Sequence, residues 1–282
     1  MIIYKETLPL QSNLQHLKTN GKKTGFVPTM GALHNGHLAL INESTKTNDA
    51  TVCSIFVNPT QFNDKRDFEK YPVTIENDIY LLEKAKTEIL FIPAVKEIYP
   101  EGLESTNSYN FGYLQTILEG YYRPGHFQGV CQVMYKLLNI IKPDNLFMGQ
   151  KDYQQCLIIK KLIESYNLSA HFHIVPTQRE ESGLAMSSRN LQLSKEGRQN
   201  ATAIYKALNF IKNNLVNTPL QNLKNEATSI LSNAGFEKID YVEICDANTL
   251  MPLREHNNKT KIVALAAAFI EGVRLIDNLL LN

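Results

Sequence analysis

Two histidines three positions apart, His34 and His37, have the spacing and chemistry to bind phosphate. They lie in the segment Met-Gly-Ala-Leu-His-Asn-Gly-His over residues 30–37. Each imidazole can present an N–H to a phosphate oxygen, while Gly31 and Gly36 allow a tight turn and a close backbone approach to a ligand. These residue types suit a nucleotide polyphosphate, and a solvated loop with two surface histidines is the alternative.

The flanking patterns predict where this segment lies. Residues 24–29 form an apolar run typical of a buried strand, and residues 38–43 read as the first turns of a helix. His37 is therefore predicted at or near a helix N-terminus. Exposed backbone N–H groups and the helix dipole favour an anion at that end of a helix.

Two further polar segments stand next to predicted strands and helices. Asn58 and Gln61 follow the apolar run 54–57, and their amides could bind a small polar substrate. Arg123 and His126 precede a helix predicted to open at Val130, where they could hold a carboxylate or a phosphate. An ordinary Asn-Pro turn and a capping loop with a surface arginine are the respective alternatives.

Two later segments also carry candidate phosphate-binding groups. Lys151 follows a strand-like run and could neutralise charge that develops on a phosphate in a transition state. Asp152 could bind Mg²⁺, a ribose hydroxyl or the start of a helix. Residues 186–190, Met-Ser-Ser-Arg-Asn, follow the polar stretch 179–183. We expect a mobile loop here whose hydroxyls and guanidinium bind a triphosphate, with a helix cap as the alternative.

The composition is that of an ordinary globular protein. Of 282 residues, 43% are hydrophobic, and 29 Lys plus Arg stand against 28 Asp plus Glu. This balance gives no reason to expect a nucleic acid or an anionic membrane as partner. The four cysteines are dispersed and lack zinc-ligand spacing, and the sequence has no secretory or membrane-spanning run, which predicts reduced thiols and a cytoplasmic location.

The alternation of apolar runs with helical patterns predicts an α/β fold. The strand-like runs are residues 24–28, 50–57, 89–93, 145–148 and 170–175, and helical patterns over 78–86 and 129–141 lie between them. We expect a parallel sheet flanked by helices, with ligands beyond the carboxyl ends of its strands.

The pattern changes after residue 190, which predicts a second domain. Residues 193–213 read as one long helix and 220–234 as another, ending at Gly235, and two strand-like runs cover 239–244 and 261–269. We therefore expect a smaller α+β domain over residues 177–282 and assign residues 1–176 to the domain with the parallel sheet.

In this order and spacing, these segments resemble the pantoate–β-alanine ligase family over almost the whole chain. His-x-Gly-His alone is typical of the wider nucleotidyltransferase superfamily. The family is indicated by the runs 27–31, 56–59, 123–127, 151–152 and 187–190, together with 246–247 and 274–278. The resemblance implies a Rossmann-like N-terminal domain that binds ATP and pantoate, a smaller domain that closes over the ATP site, and a homodimer.

The resemblance also implies a two-step reaction with ATP as a substrate and Mg²⁺ as a cofactor. Pantoate carboxylate attacks the α-phosphate of ATP to give pantoyl adenylate and pyrophosphate. The amine of β-alanine then attacks the activated carbonyl to give pantothenate and AMP.

Family roles carried over position by position complete these expectations. His34 and His37 would bind the ATP phosphates; His37 is usually assigned as a proton donor, although charge stabilisation needs no external proton. Gln61 and Gln155 would hold pantoate, with Asn58, Arg123 and His126 near that pocket. Lys151, Ser187, Ser188 and Arg189 would join both histidines in catalysis. The ATP contacts would be Met30, Gly31, Ala32, Leu33, His34, Asn35, Gly36, His37, Gly149, Gln150, Lys151, Asp152, Gln178, Met186, Ser187, Ser188 and Arg189.

Two departures and two alternatives qualify the resemblance. Gln150 stands where the family commonly has Glu, and Asn77 precedes Asp78 where other members often show consecutive acids, so Asp78 is the one acid of that pair left as a candidate magnesium ligand. A nucleotidyltransferase that makes no amide would not need Gln61 together with Gln155. A catalytically silent ATP-binding or structural protein would be expected to have lost one of His34, His37, Lys151 or Arg189, and the chain retains all four.

Overall fold

The computed structural model describes residues 1–63, 65–104, 108–256 and 259–282, including the side chains of all of these except Lys65 and Arg66. The chain divides into two compact units. The N-terminal unit contains Met1–Gly149 and Gln155–Pro176, and the C-terminal unit contains Gln150–Gln154 and Thr177–Asn282.

The N-terminal unit is built on a six-stranded sheet in which every pairing is parallel. Its strands are β1 (Ile2–Tyr4), β2 (Thr24–Thr29), β3 (Ala50–Ile55), β4 (Ile89–Phe91), β5 (Asn145–Gly149) and β6 (His171–Val175), in the order β1-β4-β3-β2-β5-β6. Its helices are α1 (Thr7–Thr19), α2 (Asn35–Thr47), α3 (Lys65–Glu69), α4 (Ile75–Lys84), α5 (Val95–Ile98), α6 (Glu119–Tyr122), α7 (His126–Ile141) and, from Gln155 onward, α8 (Tyr153–Ser165). Short 3₁₀ helices cover Pro59–Gln61 and Gly112–Gln115.

The central strands are buried because helices cover both faces of a parallel sheet. All six residues of β3 are buried, and Val27 of β2 packs in a core cluster with Cys53, Leu90 and Phe147 of neighbouring strands. All five strands predicted for this sheet are present, which confirms the α/β class. Strand β1 was not predicted, because its apolar run Ile2–Tyr4 is only three residues long, and in the structure it is largely exposed.

The C-terminal unit contains a three-stranded antiparallel sheet, β7 (Lys238–Asp246), β8 (Ile262–Ile270) and β9 (Val273–Leu280), in that order. Its helices are α9 (Lys195–Asn200), α10 (Ala203–Asn214) and α11 (Leu220–Asn233), and 3₁₀ helices cover Gln150–Asp152 and Ser188–Gln192. Ala264, Ala266 and Ala268 of β8 are fully buried in its core.

The prediction of a single helix over residues 193–213 is wrong, because the helix divides at Ala201–Thr202. At that point both the backbone N and the Oγ1 of Thr202 donate to the carbonyl of Gln199, at 3.3 and 2.8 Å. These i to i−3 bonds replace α-helical ones, and a threonine hydroxyl that competes for a backbone carbonyl is a common cause of such a change.

Candidate active site

Residues 30–37 form a turn at the carboxyl end of β2 that caps helix α2. The backbone adopts positive φ at Gly31 (83°) and Ala32 (48°), so the chain reverses within a few residues. His34 is the N-cap of α2, and His37 is its third residue after Asn35 and Gly36. The structure thus confirms that His37 lies at a helix N-terminus.

Both imidazole rings accept a backbone N–H through Nδ1. The backbone N of Gly36 lies 3.1 Å from Nδ1 of His34, and the backbone N of His34 lies 3.3 Å from Nδ1 of His37. A nitrogen that accepts a hydrogen bond carries no proton, so each neutral ring has its proton on Nε2. The ring centroids are 4.1 Å apart. The turn therefore holds both imidazole rings close together at a helix N-terminus, a place that suits phosphate oxygens.

Asp78 of α4 holds this turn in place. Its Oδ2 accepts the backbone N–H of Ala32 at 3.0 Å, and its Oδ1 accepts that of Leu33 at 2.8 Å and the hydroxyl of Thr74 at 3.0 Å. The Asp78 carboxylate is fully buried. It satisfies backbone groups that the positive φ of Ala32 turns inward, which offsets the cost of that conformation.

The sequence predicted Asp78 as a magnesium ligand, and its contacts show that it also holds the turn. Both carboxylate oxygens already bond to the turn. Within residues 1–63, 65–104, 108–256 and 259–282, no group of three or more His, Cys, Asp or Glu side chains is arranged to hold a metal ion. We therefore assign Asp78 to positioning the turn.

Asn58 caps the 3₁₀ helix Pro59–Gln61, which follows β3, and its side chain contacts that of Gln61. It is only 1% exposed, and its Nδ2 donates to Oε1 of Gln61 and to the carbonyl of Gly129, at 3.2 Å each. Its Oδ1 accepts the hydroxyl of Tyr99 at 2.8 Å. Burial raises the pKa of Tyr99 to about 12, so this phenol remains a donor. Asn58, predicted to bind substrate, is thus placed as a positioning residue for Gln61.

Gln61 joins the turn after β2 to the start of α7. Its Nε2 donates to Sδ of Met30 at 2.9 Å, and its carbonyl accepts Nδ1–H of His126 at 2.8 Å. Nη1 of Arg123 lies 3.1 Å from Nε2 of His126, and because a guanidinium only donates, that ring nitrogen is the acceptor. The structure therefore brings Gln61, Arg123 and His126 together. An amide has two N–H groups and two acceptor lone pairs, so Gln61 retains capacity for a substrate.

Helix α7 begins four residues earlier than predicted, and its packing explains why. His126 is its first residue, and Gly129 lies within it. A Cβ at Gly129 would stand 2.0 Å from the carbonyl oxygen of Thr60, so only glycine allows α7 to approach the 3₁₀ helix Pro59–Gln61 this closely. This contact between distant segments has no signal in the sequence around residue 126.

Gly149 and Gln155 are the remaining site residues predicted in the N-terminal unit. Gly149 ends β5, and a Cβ built on it would meet no atom within 4 Å, so the space beside it is open. Gln155 lies on α8 and is half-buried. Gly149 is the last residue of β5 and Gln155 follows that strand, so both lie at or beyond its carboxyl end, where a parallel sheet offers ligand sites.

In the C-terminal unit, Lys151 lies in the 3₁₀ helix Gln150–Asp152. Its Nζ is 3.7 Å from Oδ1 of Asp152, and its side chain is 16% exposed. Asn278 of β9 donates from Nδ2 to the carbonyls of Gln150 and Lys151, at 2.9 Å each. The chemistry of its side chain predicted no role for Asn278. It was indicated only by the family resemblance, within residues 274–278.

Residues 178–186, which include part of the segment predicted as a mobile loop, form a short hairpin in the structure. The backbone N of Met186 donates to the carbonyl of Gln178 at 3.0 Å, and Arg179 pairs with Ala185. Arg179 also forms a two-pronged ion pair with the buried Asp277, at 2.7 and 3.0 Å. The partner lies 98 positions away in the sequence, so local composition could not reveal this order.

The segment after the hairpin forms a 3₁₀ helix, Ser188–Gln192, which Ser187 caps. Its Oγ accepts the backbone N–H of Arg189 at 3.3 Å. Asn190 is 4% exposed and donates from Nδ2 to the carbonyl of Ala185 at 3.0 Å. The capping role considered for this segment is therefore present, and it fixes the backbone from which the Arg189 side chain extends.

The six-stranded parallel sheet with a histidine-bearing helix cap at its carboxyl edge defines a Rossmann-like α/β protein. Comparison with known families identifies it more closely. The chain belongs to the pantoate–β-alanine ligase family, whose family model matches residues 2–280.

Relatives and solved structures agree with that assignment over nearly the full length. The pantothenate synthetase of Bacteroides fragilis (strain YCH46) is 42% identical over 274 residues, 96% of this chain and 95% of the relative. That of Cytophaga hutchinsonii is 42% identical over 283 residues, covering 100% and 99%. The crystal structure of the Thermus thermophilus pantothenate synthetase matches with a TM-score of 0.92 at 36% identity, covering 99% of both chains.

A further solved structure carries ligands. The pantoate–β-alanine ligase of Francisella tularensis, in complex with β-γ ATP and β-alanine, matches with a TM-score of 0.83 at 39% identity, covering 99% of this chain and 97% of that one. These findings confirm the family and the fold class expected from the sequence.

Proposed function

We propose that the protein condenses (R)-pantoate with β-alanine to give (R)-pantothenate, with pantoyl adenylate as intermediate and AMP and pyrophosphate as products. The observation that carries this proposal is the capped turn of α2. Both His34 and His37 accept a backbone N–H through Nδ1 within this turn, so the proton of each neutral ring is on Nε2, and we assign both rings to the phosphates of ATP. The family, and the ATP analogue and β-alanine in the Francisella relative, supply the substrate classes.

In the first step, a carboxylate oxygen of pantoate attacks the α-phosphorus of ATP. The new P–O bond forms as the bond to the β-phosphate breaks, and pyrophosphate leaves. Negative charge moves onto the leaving oxygens, and we assign the Nε2–H groups of His34 and His37 to stabilise it. A carboxylate becomes a good acyl donor in this way, because AMP is a far better leaving group than oxide.

In the second step, the amine of β-alanine attacks the acyl carbon of pantoyl adenylate. The C–N bond forms, the C–O bond to AMP breaks, and the nitrogen loses a proton. We assign Gln61 and Gln155 to hold the pantoyl group. Arg123 and His126, which contact each other next to Gln61, would favour a carboxylate or a hydroxyl nearby.

The residues of the C-terminal unit are assigned to the rest of ATP. Lys151 would bind the phosphates and Asp152 the ribose, while the backbone of Gln178 would meet the adenine. Met186, Ser187, Ser188 and Arg189 would cover the triphosphate. Support for these roles comes from the resemblance and from the ordered backbone of both segments. We also propose that residues 1–176 and 177–282 act as the two functional domains.

Magnesium enters this proposal as part of the substrate, Mg-ATP. The described side chains form no preformed metal cluster, and Asp78 is engaged with the turn. Mg²⁺ commonly keeps several water ligands and binds through substrate phosphates and one or two carboxylates. The ion would neutralise triphosphate charge, and the roles of the protein side chains stand as given above.

Assembly and location follow from the family resemblance. We propose a homodimer that acts in the cytoplasm on small molecules. All four cysteines are buried thiols, as a reducing compartment favours. Among the described helices, none is long and apolar enough to span a membrane. Light scattering of the purified protein at several concentrations tests the dimer.

Pyrophosphate and AMP release tests the reaction itself. Purified protein is incubated with Mg-ATP and pantoate, with and without β-alanine, beside a panel of other carboxylic acids. We expect sustained AMP formation only with both substrates, and pantothenate as the product. If a single turnover at high enzyme concentration yields no pantoate-dependent pyrophosphate, the substrate assignment fails. Pyrophosphate release with a phosphorylated acceptor would favour a nucleotidyltransferase instead.

A further inference from the structure

Two adjacent residues of β9, Asp277 and Asn278, each hold a segment with an assigned ATP role. Both are 2% exposed. We propose that they are positioning residues, a shared anchor that fixes Lys151 and the segment 186–189 for the first step of the reaction. This inference rests on the proposed function and goes beyond it, because neither residue is assigned to touch a substrate.

Asn278 fixes the main chain at Lys151. The two N–H groups of its Nδ2 go to the carbonyls of Gln150 and Lys151, at 2.9 Å each. Its Oδ1 accepts Nε2 of Gln150 at 3.2 Å. An ionised carboxylate at position 150 could not make this donation, so the glutamine of this chain completes a three-bond contact. These hydrogen bonds connect the main chain at Lys151 to the buried strand β9.

Asp277 fixes the hairpin that leads into the other segment. Its carboxylate receives both Nη groups of Arg179, and its Oδ1 also accepts the backbone N–H of Asn278 at 2.8 Å. Nη1 of Arg179 also donates to the carbonyl of Gly183 at 3.1 Å. The Cζ atom of Arg179 lies 3.8 Å from the centroid of the Tyr205 ring. An arginine bonded and stacked in this way has little rotational freedom.

The charges of the anchor also connect the two segments. Burial raises the pKa of Asp277, while the guanidinium of Arg179 and the ammonium of Lys151 favour its carboxylate form. The Asp277 carboxylate therefore interacts with one cation from each segment, Arg179 of the hairpin and Lys151.

A double-mutant cycle between Asn278 and Lys151 tests the anchor. We measure kcat for pantoate-dependent pyrophosphate release in the wild type, Asn278→Ala, Lys151→Ala and the double variant. Displacing a charge-stabilising group typically costs about 10- to 100-fold in rate, and we expect Asn278→Ala to lower kcat by that amount. With Lys151 already removed, Asn278→Ala should change kcat by less than about twofold, because coupled residues are not additive.

Asn282→Ala is the matched control, because the Asn282 Nδ2 also donates to a backbone carbonyl, that of Thr260 at 2.8 Å, just beyond the end of β9. It should leave kcat unchanged. An unchanged kcat in Asn278→Ala, or equal losses in both backgrounds, would overturn the anchor. If Asn278→Ala does not fold, Asn278→Asp keeps the shape, removes both N–H donors and is judged by the same two criteria.

Hydrogen exchange keeps this test separate from the proposed reaction. In the protein without substrates, Asn278→Ala should speed amide exchange in residues 150–153, and Asn282→Ala should not. Unchanged exchange there would count against the anchor whatever the activity. A further outcome is that the wild type releases no pantoate-dependent pyrophosphate while Asn278→Ala still shows faster exchange. That result would refute the proposed reaction and the catalytic role of the anchor, but it would support the hydrogen bonds of Asn278.

Discussion

Oδ1 of Asp78 accepts the backbone N–H of Leu33 at 2.8 Å, across 45 positions of sequence. The neighbouring Oδ2 accepts Ala32 in the same way. A buried carboxylate on α4 thus holds the residue just before the N-cap His34. The direction of both imidazoles depends on this turn, because each ring bonds a backbone N–H within it.

Asp78→Asn should lower both stability and activity. An amide keeps one acceptor but turns an NH₂ group toward a backbone N–H, and a buried polar group without a partner costs about 1–3 kcal/mol. Thermal unfolding measures this loss, and kcat for pyrophosphate release measures the displacement of His34. Glu83→Gln, an exposed change on the same helix, is the control. Full activity and stability in Asp78→Asn would remove Asp78 from the support of the turn.

Lys151→Ala should mainly lower kcat. Loss of one group that stabilises developing charge typically costs about 10²- to 10³-fold, while pantoate binding should change little. Steady-state kinetics with pantoate varied at saturating ATP separate the two effects. Lys160→Ala, an exposed lysine of α8, provides the comparison. A Lys151→Ala enzyme with undiminished kcat would take Lys151 out of the chemistry.

Gln61→Ala should mainly weaken the use of pantoate. Loss of a polar contact of about 1.4 kcal/mol raises the apparent KM about tenfold, and a contact made equally in the ground and transition states leaves kcat nearly unchanged. Initial rates over a pantoate series measure both constants, with the exposed Gln15→Ala of α1 as control. A large fall in kcat at unchanged KM would instead make Gln61 part of the reacting centre.

Arg179→Met should destabilise the C-terminal unit in a pH-dependent way. Removing one partner of a buried pair commonly costs about 3–5 kcal/mol, because it leaves Asp277 charged and buried. Burial raises the pKa of Asp277 above its ordinary 3.8, and this change removes the guanidinium that opposes the rise. The folded state then binds the proton more tightly than the unfolded state, so stability falls as pH rises above 3.8.

Urea unfolding at several pH values measures this effect. Arg179→Met should have a lower free energy of unfolding than the wild type. This difference should be smallest at the lowest pH and should increase as the pH rises through the raised pKa of Asp277. Arg198→Met is the control, because its ion pair with Glu180 involves a half-exposed arginine and should contribute about 0–1 kcal/mol. A deficit independent of pH would contradict the buried-charge explanation.

The cysteines should be unreactive in the folded protein. All four are buried, and burial raises the pKa of Cys53, Cys131 and Cys245 to about 12. Since the thiolate is the nucleophile, reaction with a disulfide reagent should stay slow from about pH 7 to about pH 9. Absorbance of the released thiol measures it, and four groups should react after denaturation. Rapid labelling of any thiol in the folded protein would show that the structure around that cysteine opens to solvent.

Much of the fold could be predicted because its signals are local. The runs that became β2, β3 and β5 are continuous and apolar, as buried parallel strands require. Strand β1 and the start of α7 were missed. The first depends on pairing with β4, and the second on close contact with the 3₁₀ helix Pro59–Gln61. Such contacts between distant segments leave no periodic pattern.

By itself, the sequence determined the class of fold, the family and the residue types available for phosphate chemistry. The tertiary structure decided how those residues are held. It made Nδ1 of His34 and His37 acceptors of backbone N–H groups, and it brought Asp78 into contact with the turn and Asn58 into contact with Gln61. It also revealed Asp277 and Asn278 behind Lys151. The physical reason is that hydrogen-bond partners are set by distance in space, and folding alone brings residues far apart in the chain within about 3 Å of each other.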